Sequence, residues 1–277
     1  MNASSEAVAE MPATTKSAPL RLAVAYLARG ADPGWQASCE RFIKSYYSHP
    51  AGAEHTLCIL FKGFPDTTSL SQARHLFAAL PHRAFFLEDD SFDIGAYIEW
   101  ARQIDADTVC ALNSASEVLA DRWLAKLAAN LALPNVGLVG ASASYESLND
   151  WNATFPEFPN VHLRSNAFMI DRLLLCALTE GLLIREKLDA FNFESGAQSL
   201  TRKVLALGKE ILLVGRDGRG YAPAFWPVSD TFRLGFQRNL LVGDNQTRNF
   251  NGLTWNEKRE FVLRTWGHFI RDFEMLR

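Results

Sequence analysis

Along the first half of the chain, short apolar runs alternate with amphipathic stretches, and the two differ in period. LRLAVAYLA (20–28), HTLCILFKG (55–63), HRAFFLE (82–88), TVCALN (108–113) and VGLVGAS (136–142) are of strand length. Runs of that length between turn-forming residues read as strands. Between them, WQASCERFIKSYY (35–47), SLSQARHLFAAL (69–80), DIGAYIEWARQI (93–104) and LADRWLAKLAANLAL (119–133) place apolar residues at helical spacing. Asp93 stands where it can cap the third of these helices. Strands alternating with helices through short connections predict an α/β fold with a mainly parallel, Rossmann-like sheet flanked by helices. The strand ends of such a sheet face one ligand-binding edge.

After Ser142 the rhythm breaks. YESLNDWNATFPEFPN (145–160) is aromatic, interrupted by prolines and without a period, which predicts a long loop over the site. HLRSNAFMI (162–170) and EILLVG (210–215) read as strands. DRLLLCALTEG (171–181) and QSLTRKVLALG (198–208) read as helices, the latter ended by Gly208. TWNEKREFVLRTWGHFIRDFEML (254–276) predicts a long amphipathic helix whose Phe/Trp stripe packs on the domain. The expected organisation is a disordered leader over 1–19, one main domain over 20–235 and a C-terminal helical extension over 236–277.

Composition narrows the function classes. At 277 residues and 48% hydrophobic, the chain can bury a sizeable core. The net charge of −3 comes from 28 scattered basic residues against 31 acids, which gives no electrostatic reason to expect nucleic acid. Cys39, Cys58, Cys110 and Cys176 lie far apart with no zinc spacing, as expected of reduced thiols. The leader has no basic start and apolar core of a signal peptide, and no segment reaches the roughly 18 apolar residues of a membrane span. A cytoplasmic protein is expected.

The order of elements resembles the GT-A fold of nucleotide-sugar glycosyltransferases. That family has an acidic segment and a helix start of the type N/D-x-G, then a strand ending in a metal-binding D-x-D, then a helix bearing Trp-Leu. The counterparts here are Asp89, Asp90 and the run Asp93 to Tyr97, then LNSAS (112–116), then Asp121 to Leu124. HLRSNAFMIDRLLL is similar to the stretch that rebuilds the sheet beside the sugar pocket. FNFESGAQSLTRKVLALGKEILLVG is similar to the segment that holds the acceptor-side carboxylate, and the pattern spans roughly residues 20–215. Two departures stand out. The D-x-D is replaced by Asn113-Ser114-Ala115-Ser116, and the E-D pair becomes Glu194-Ser195, with Arg202 one place out of register. LNSAS, RSNAFMI, FESGAQSLT and NLLVGDNQTRNF together resemble a bacterial subgroup associated with surface-polysaccharide genes.

The resemblance implies a cytoplasmic, nucleotide-sugar-dependent glycosyltransferase of cell-surface polysaccharide or lipopolysaccharide synthesis, with a saccharide acceptor. Glu194, between Phe191 and Phe193, is the expected general base, with a helix-start role as its alternative. Asp90, Asp93 and Gly95 border the nucleotide, with Asp32 a weaker candidate; capping and solvation are the alternatives for Asp93 and Asp90. Asn113, Ser114 and Ser116 contact diphosphate or sugar, unless the serines cap the next helix. Arg164, beside Asn166, can pair two phosphate oxygens, helped by Arg216 or Arg219, or it forms a surface ion pair. Neutral oxygens at 113–116 supply no charge to retain Mg²⁺ or Mn²⁺, so no metal ligands and no tightly bound cofactor are expected. GDNQT (243–247) either closes the site or ties the C-terminal helix to the core. A non-catalytic nucleotide-sugar-binding or scaffold protein on the same fold is the alternative. A nucleotidyltransferase is disfavoured by the lack of a Gly- and Lys-rich loop near the first strand.

Overall fold

A computed structural model describes residues 20–269. In chain order the first half runs β1 (Leu22–Arg29), α1 (Trp35–Ser48), β2 (Thr56–Lys62), α2 (Thr67–Leu76), β3 (Arg83–Leu87), α3 (Phe92–Gln103), β4 (Thr108–Leu112), β5 (Glu117–Val118), α4 (Trp123–Leu131), β6 (Val136–Gly140) and β7 (Ala143–Ser144). The second half runs β8 (His162–Leu163), β9 (Ala167–Asp171), α5 (Arg172–Leu178), α6 (Lys187–Ser195), α7 (Leu200–Ala206), β10 (Glu210–Val214), β11 (Gly220–Tyr221), β12 (Val242–Gly243), α8 (Asn245–Gly252) and α9 (Trp255–Trp266).

Eight strands form one sheet in the order β11-β10-β6-β9-β4-β1-β2-β3. It is mostly parallel, as the alternation of elements predicts. β9 runs antiparallel to both β4 and β6, and β11 runs antiparallel to β10. The pleat sends alternate residues to opposite faces. Ala23, Ala25 and Leu27 of β1 join a core with α3, α5, α6, α7 and α9, whereas Val24, Tyr26 and Ala28 join one with α1, α2 and α4. Helices thus cover both faces. Trp100 and Trp266 anchor the first core and Trp123 the second, all fully buried.

Several local expectations are corrected. α3 begins at Phe92 with Ser91 at its N-cap, so Asp93 lies in the first turn, where its Oδ1 accepts only from the neighbouring Ile94 N–H (3.0 Å). α4 begins at Trp123 rather than 119. Residues 117–118 pair instead with 242–243, and Arg122 turns the chain at φ 59°. Ser114 and Ser116 therefore cap no helix. The strand expected over 162–170 is split: β8 pairs with β7, the chain turns through Arg164 to Asn166, and β9 enters the main sheet. α6 was not expected, since its apolar residues show no clear face; Glu186 and Asp189 close a capping box at its start. Glu194 consequently sits in the last turn of α6, and Ser199 rather than Glu194 caps α7. The C-terminal helix stops at Gly267, whose φ of 57° breaks the helical path. The leader expected over 1–19 and the end of that helix lie outside the described residues.

Candidate functional site

The C-terminal ends of β1 to β4 form one rim, tied by Arg29. Its Nη1 donates to Asp32 Oδ1 (2.8 Å), and its Nε and Nη2 donate to the Asp89 carboxylate (3.2 and 3.1 Å). Asp32 Oδ2 accepts from Ser114 Oγ (2.5 Å), which joins the first loop to the fourth. Under the rim, the Lys62 side chain is wholly buried; its Nζ donates to Phe92 O (2.6 Å) and Ser91 Oγ (3.0 Å) and lies 3.9 Å from Asp89. Burial lowers the Lys62 pKa, against the pull of Asp89.

Asp90 is exposed and makes no hydrogen bond to another described residue. At Gly95 a Cβ would meet Ser91 Cβ at 2.2 Å. The close approach that requires glycine there is thus the chain's own Ser91, the serine that receives Lys62.

The 113–116 loop is closed on itself. Asn113 Oδ1 accepts from Ala115 N (3.1 Å) and Ser116 Oγ (2.9 Å), and Asn113 N donates to Asn166 O (3.0 Å). Arg248 of α8 donates to Ala115 O and Glu117 (3.2 Å each), clamping the loop from the C-terminal side. Ser116 is fully buried, and Ser114 spends its hydroxyl on Asp32.

The second half builds a cavity of about 260 Å³ whose walls include Glu146, His162, Arg164, Glu194 and Arg233. Glu194 Oε2 accepts from Ser165 N (2.6 Å) and from Ser165 Oγ, so one carboxylate oxygen is fixed by the turn between β8 and β9. His162 is 4% exposed, and its Nδ1 lies 2.7 Å from Asn160 O. A carbonyl only accepts, so Nδ1 carries the proton and Nε2 keeps its lone pair in the neutral ring. Burial lowers the His162 pKa, opposed by the charge of Glu194. Asp93 is shifted the other way: burial raises its pKa first, and the negative charge of Glu194 raises it further. α3 and α6 thus bring two carboxyl groups within electrostatic reach, with a neutral imidazole beside one of them.

Arg164 forms its ion pair in the interior, not on the surface. It is 6% exposed, its Nη2 pairs with the fully buried Asp244 Oδ2 (2.8 Å), and its guanidinium lies 4.0 Å from the Phe232 ring centroid. Asp244 also caps α8 through Thr247 N (2.9 Å), so the GDNQT segment ties the C-terminal helices to the site. Arg164 Nη1 reaches Ser142 Oγ (3.3 Å), and Ser142 in turn donates to Asn166 Oδ1. Asn166 Nδ2 is buried without a partner, a cost of roughly 1–3 kcal/mol for a desolvated donor. Arg233 donates to Glu146 (2.8 Å), which also receives Arg264 (2.6 Å).

Of the residues singled out by sequence, Asn113, Ser116, Asn166 and Arg164 form one hydrogen-bonded chain, and Asp93 and Glu194 face a common region. Arg216 instead donates to Leu119 O, and Arg219 is exposed beside Asp217. Sequence reasoning passed over His162, Lys62 and Arg233. His162 stands two residues before Arg164, a spacing that puts both on one side of an extended chain, and Lys62 closes an otherwise apolar run. Nothing in TFRLGFQRNL marks Arg233.

No family model and no curated protein sequence matches the chain. Among solved structures it is similar to the mannosyltransferase PcManGT from Pyrobaculum calidifontis in complex with GDP-Man and Mn²⁺, at TM-score 0.50 and 13% identity, over 90% of this chain and 70% of that one. Mouse xyloside xylosyltransferase 1 in its apo form is similar at TM-score 0.39 and 14% identity, over 62% of this chain and 80% of that one. CMP:2-keto-3-deoxy-manno-octonic acid synthetase complexed with CTP is similar at TM-score 0.44 and 11% identity, over 69% and 88%. The first likeness shows a shared GT-A-like fold; at such identity it speaks of fold alone. Among the described residues, no helix is long and apolar enough to cross a membrane.

Proposed function

We propose that this protein transfers a sugar from a nucleotide-sugar donor to a hydroxyl of a saccharide acceptor. The observation that carries the reading is Glu194: a carboxylate held by Ser165 in a cavity it shares with His162 and three arginines. Glu194 takes the proton of the acceptor hydroxyl, the oxygen bonds to the sugar's anomeric carbon, and the bond to the diphosphate breaks, releasing the nucleoside diphosphate. His162 Nε2, an acceptor in the neutral ring, takes a hydrogen bond from a neighbouring hydroxyl of the acceptor sugar and so orients it. Asp93, with Asp90 beside it, borders the nucleotide, and the tip of the 113–116 loop at Ser114 faces the diphosphate. Arg164 and Arg233 face the leaving group with those guanidinium N–H groups that their own acids leave free. Asn113, Ser116 and Asn166 hold the loop in shape, and Gly95 admits Ser91. A cytoplasmic role in surface-polysaccharide or lipopolysaccharide synthesis is the setting that the sequence resemblance supports.

The similar mannosyltransferase was captured with Mn²⁺. The donor set here fits such an ion poorly. Among the described residues no three His, Cys, Asp or Glu side chains gather as a metal site. Asn113 Oδ1 already accepts two hydrogen bonds, and Asp32 is neutralised by Arg29. Hard cations hold best to several charged oxygens. Calorimetric titration with a panel of nucleotide sugars, with and without Mn²⁺, tests the reading. Binding of at least one donor is expected, and silence across the whole panel overturns it. The self-satisfied rim favours one second reading, a scaffold that has lost chemistry; such a protein shows no turnover in any donor and acceptor combination.

A further inference from the structure

Outside the Glu194 cavity lies a larger one of about 750 Å³, walled by the 147–158 excursion and the end of α9, including Asn149, Asp150, Trp151, Glu157 and Arg264. The two share Leu148 and Arg264. They also meet through a ring contact: Trp151 stands edge-on to Phe191, a wall of the Glu194 cavity, at 6.2 Å between centroids. Trp151 is nonetheless 65% exposed, an unusual position for the largest apolar residue type.

This exposure is built into the loop. Asn160 N donates to Tyr145 O (2.9 Å), Asn149 Nδ2 to Phe155 O (2.8 Å), Ser147 Oγ to Pro156 O (2.5 Å) and Trp151 N to Leu148 O (3.0 Å), while Phe155 is buried as the anchor. The excursion is a self-bonded surface loop of the kind that commonly carries function. It holds an aromatic face outward with little left to order on binding.

We infer that the outer cavity binds an oligosaccharide, with one pyranose ring stacked on Trp151 and the chain running past Leu148 and Arg264 to the Glu194 cavity. The direction of that chain rests on the transfer reading above; recognition of the saccharide does not. An indole face suits the C–H face of a pyranose, and the neighbouring carboxylates and amides suit its hydroxyls. The same carboxylates, Asp150 and Glu157, disfavour an anionic lipid surface.

The test is calorimetry of the whole chain, its W151A variant and its W151F variant against mono-, tri- and tetrasaccharides of neutral and uronic-acid sugars. The expected result is at least tenfold tighter binding of the longer saccharides than of the monosaccharides, lost in W151A and largely kept in W151F. Equal affinity at every length, unchanged affinity in W151A, or no binding by any saccharide in the panel overturns the inference. So does Trp151-dependent binding of phosphatidylcholine–phosphatidylglycerol vesicles without saccharide binding. Nucleotide-sugar titration of the wild type separates the two readings. Donor binding without saccharide binding sinks the platform alone, and saccharide binding without donor binding sinks the transferase alone.

Discussion

The rim at the ends of β1 to β4 and the cavity around Glu194 are both rich in charge, yet they dispose of it differently. At the rim, Arg29 is shared between Asp32 and Asp89, Asp32 also takes Ser114, and Lys62 is fixed beneath. Its charges are spent on one another and lock four loops together. In the cavity, Glu194 is fixed through one oxygen, His162 through one nitrogen and Arg164 through one buried acid. Each is held through part of its hydrogen-bonding capacity, Arg164 by Ser142 as well as Asp244, which leaves the rest to act on something else. Orientation without saturation is what a reacting group requires; saturation is what a frame requires.

The largest effect that sharpens this contrast is expected at Glu194. E194Q should keep donor affinity in calorimetry while turnover, by release of nucleoside diphosphate, falls by roughly 10²–10⁴-fold, the usual worth of a general base. A turnover loss below about tenfold would place Glu194 with the frame instead. Next, R164A strands Asp244 as an unpaired buried acid, and urea unfolding should show a loss of about 3–5 kcal/mol. A loss under about 1 kcal/mol would mean that this pair behaves like the rim's partly exposed ones.

A smaller effect is expected at Asp93. The folded chain holds that proton more tightly than the unfolded chain does, so folding takes up a proton between the ordinary carboxylate pKa and the raised one. Wild-type stability therefore falls as pH rises across that window. D93N should be more stable than wild type above the window and nearly equal to it below, as read from urea midpoints between about pH 3 and 7. His162 contributes the opposite slope, since its lowered pKa costs stability as pH falls below its ordinary value of about 6.5, and that slope cancels in the difference between the two proteins. The smallest effect is expected at Arg29. R29A should cost about 1 kcal/mol or less in urea unfolding. It also frees Asp32 and Asp89, so Mn²⁺ titration should show tighter cation binding than in wild type; no gain would mean that the rim rejects cations for reasons other than Arg29.

How much could be read from the chain differs between the same two regions. The strands and helices of the rim follow one another within short connections, and their periods identified them with only their ends shifted, as at Phe92 and Trp123. Asp93, Ser114 and Glu194 were legible as candidates because each stands at an element end in a recognisable order. The second region was less legible. α6 has too weak a face to be seen by period, and Arg164 looked free because its partner lies 80 residues away. Trp151 could be read only as part of an irregular aromatic loop, since exposure is a property of how that loop folds back on Phe155.

The sequence by itself determined the alternation of elements, the two-faced core and the absence of carboxylates at residues 113–116, because periodicity and residue chemistry are local properties. Tertiary structure alone decided which charges are spent and which are left to act. Arg29 meets Asp89, Arg164 meets Asp244 and Asp93 feels Glu194 only once the sheet and its helices have packed. Whether a polar group is satisfied depends on partners that the chain brings together from far apart, and on the water that packing excludes.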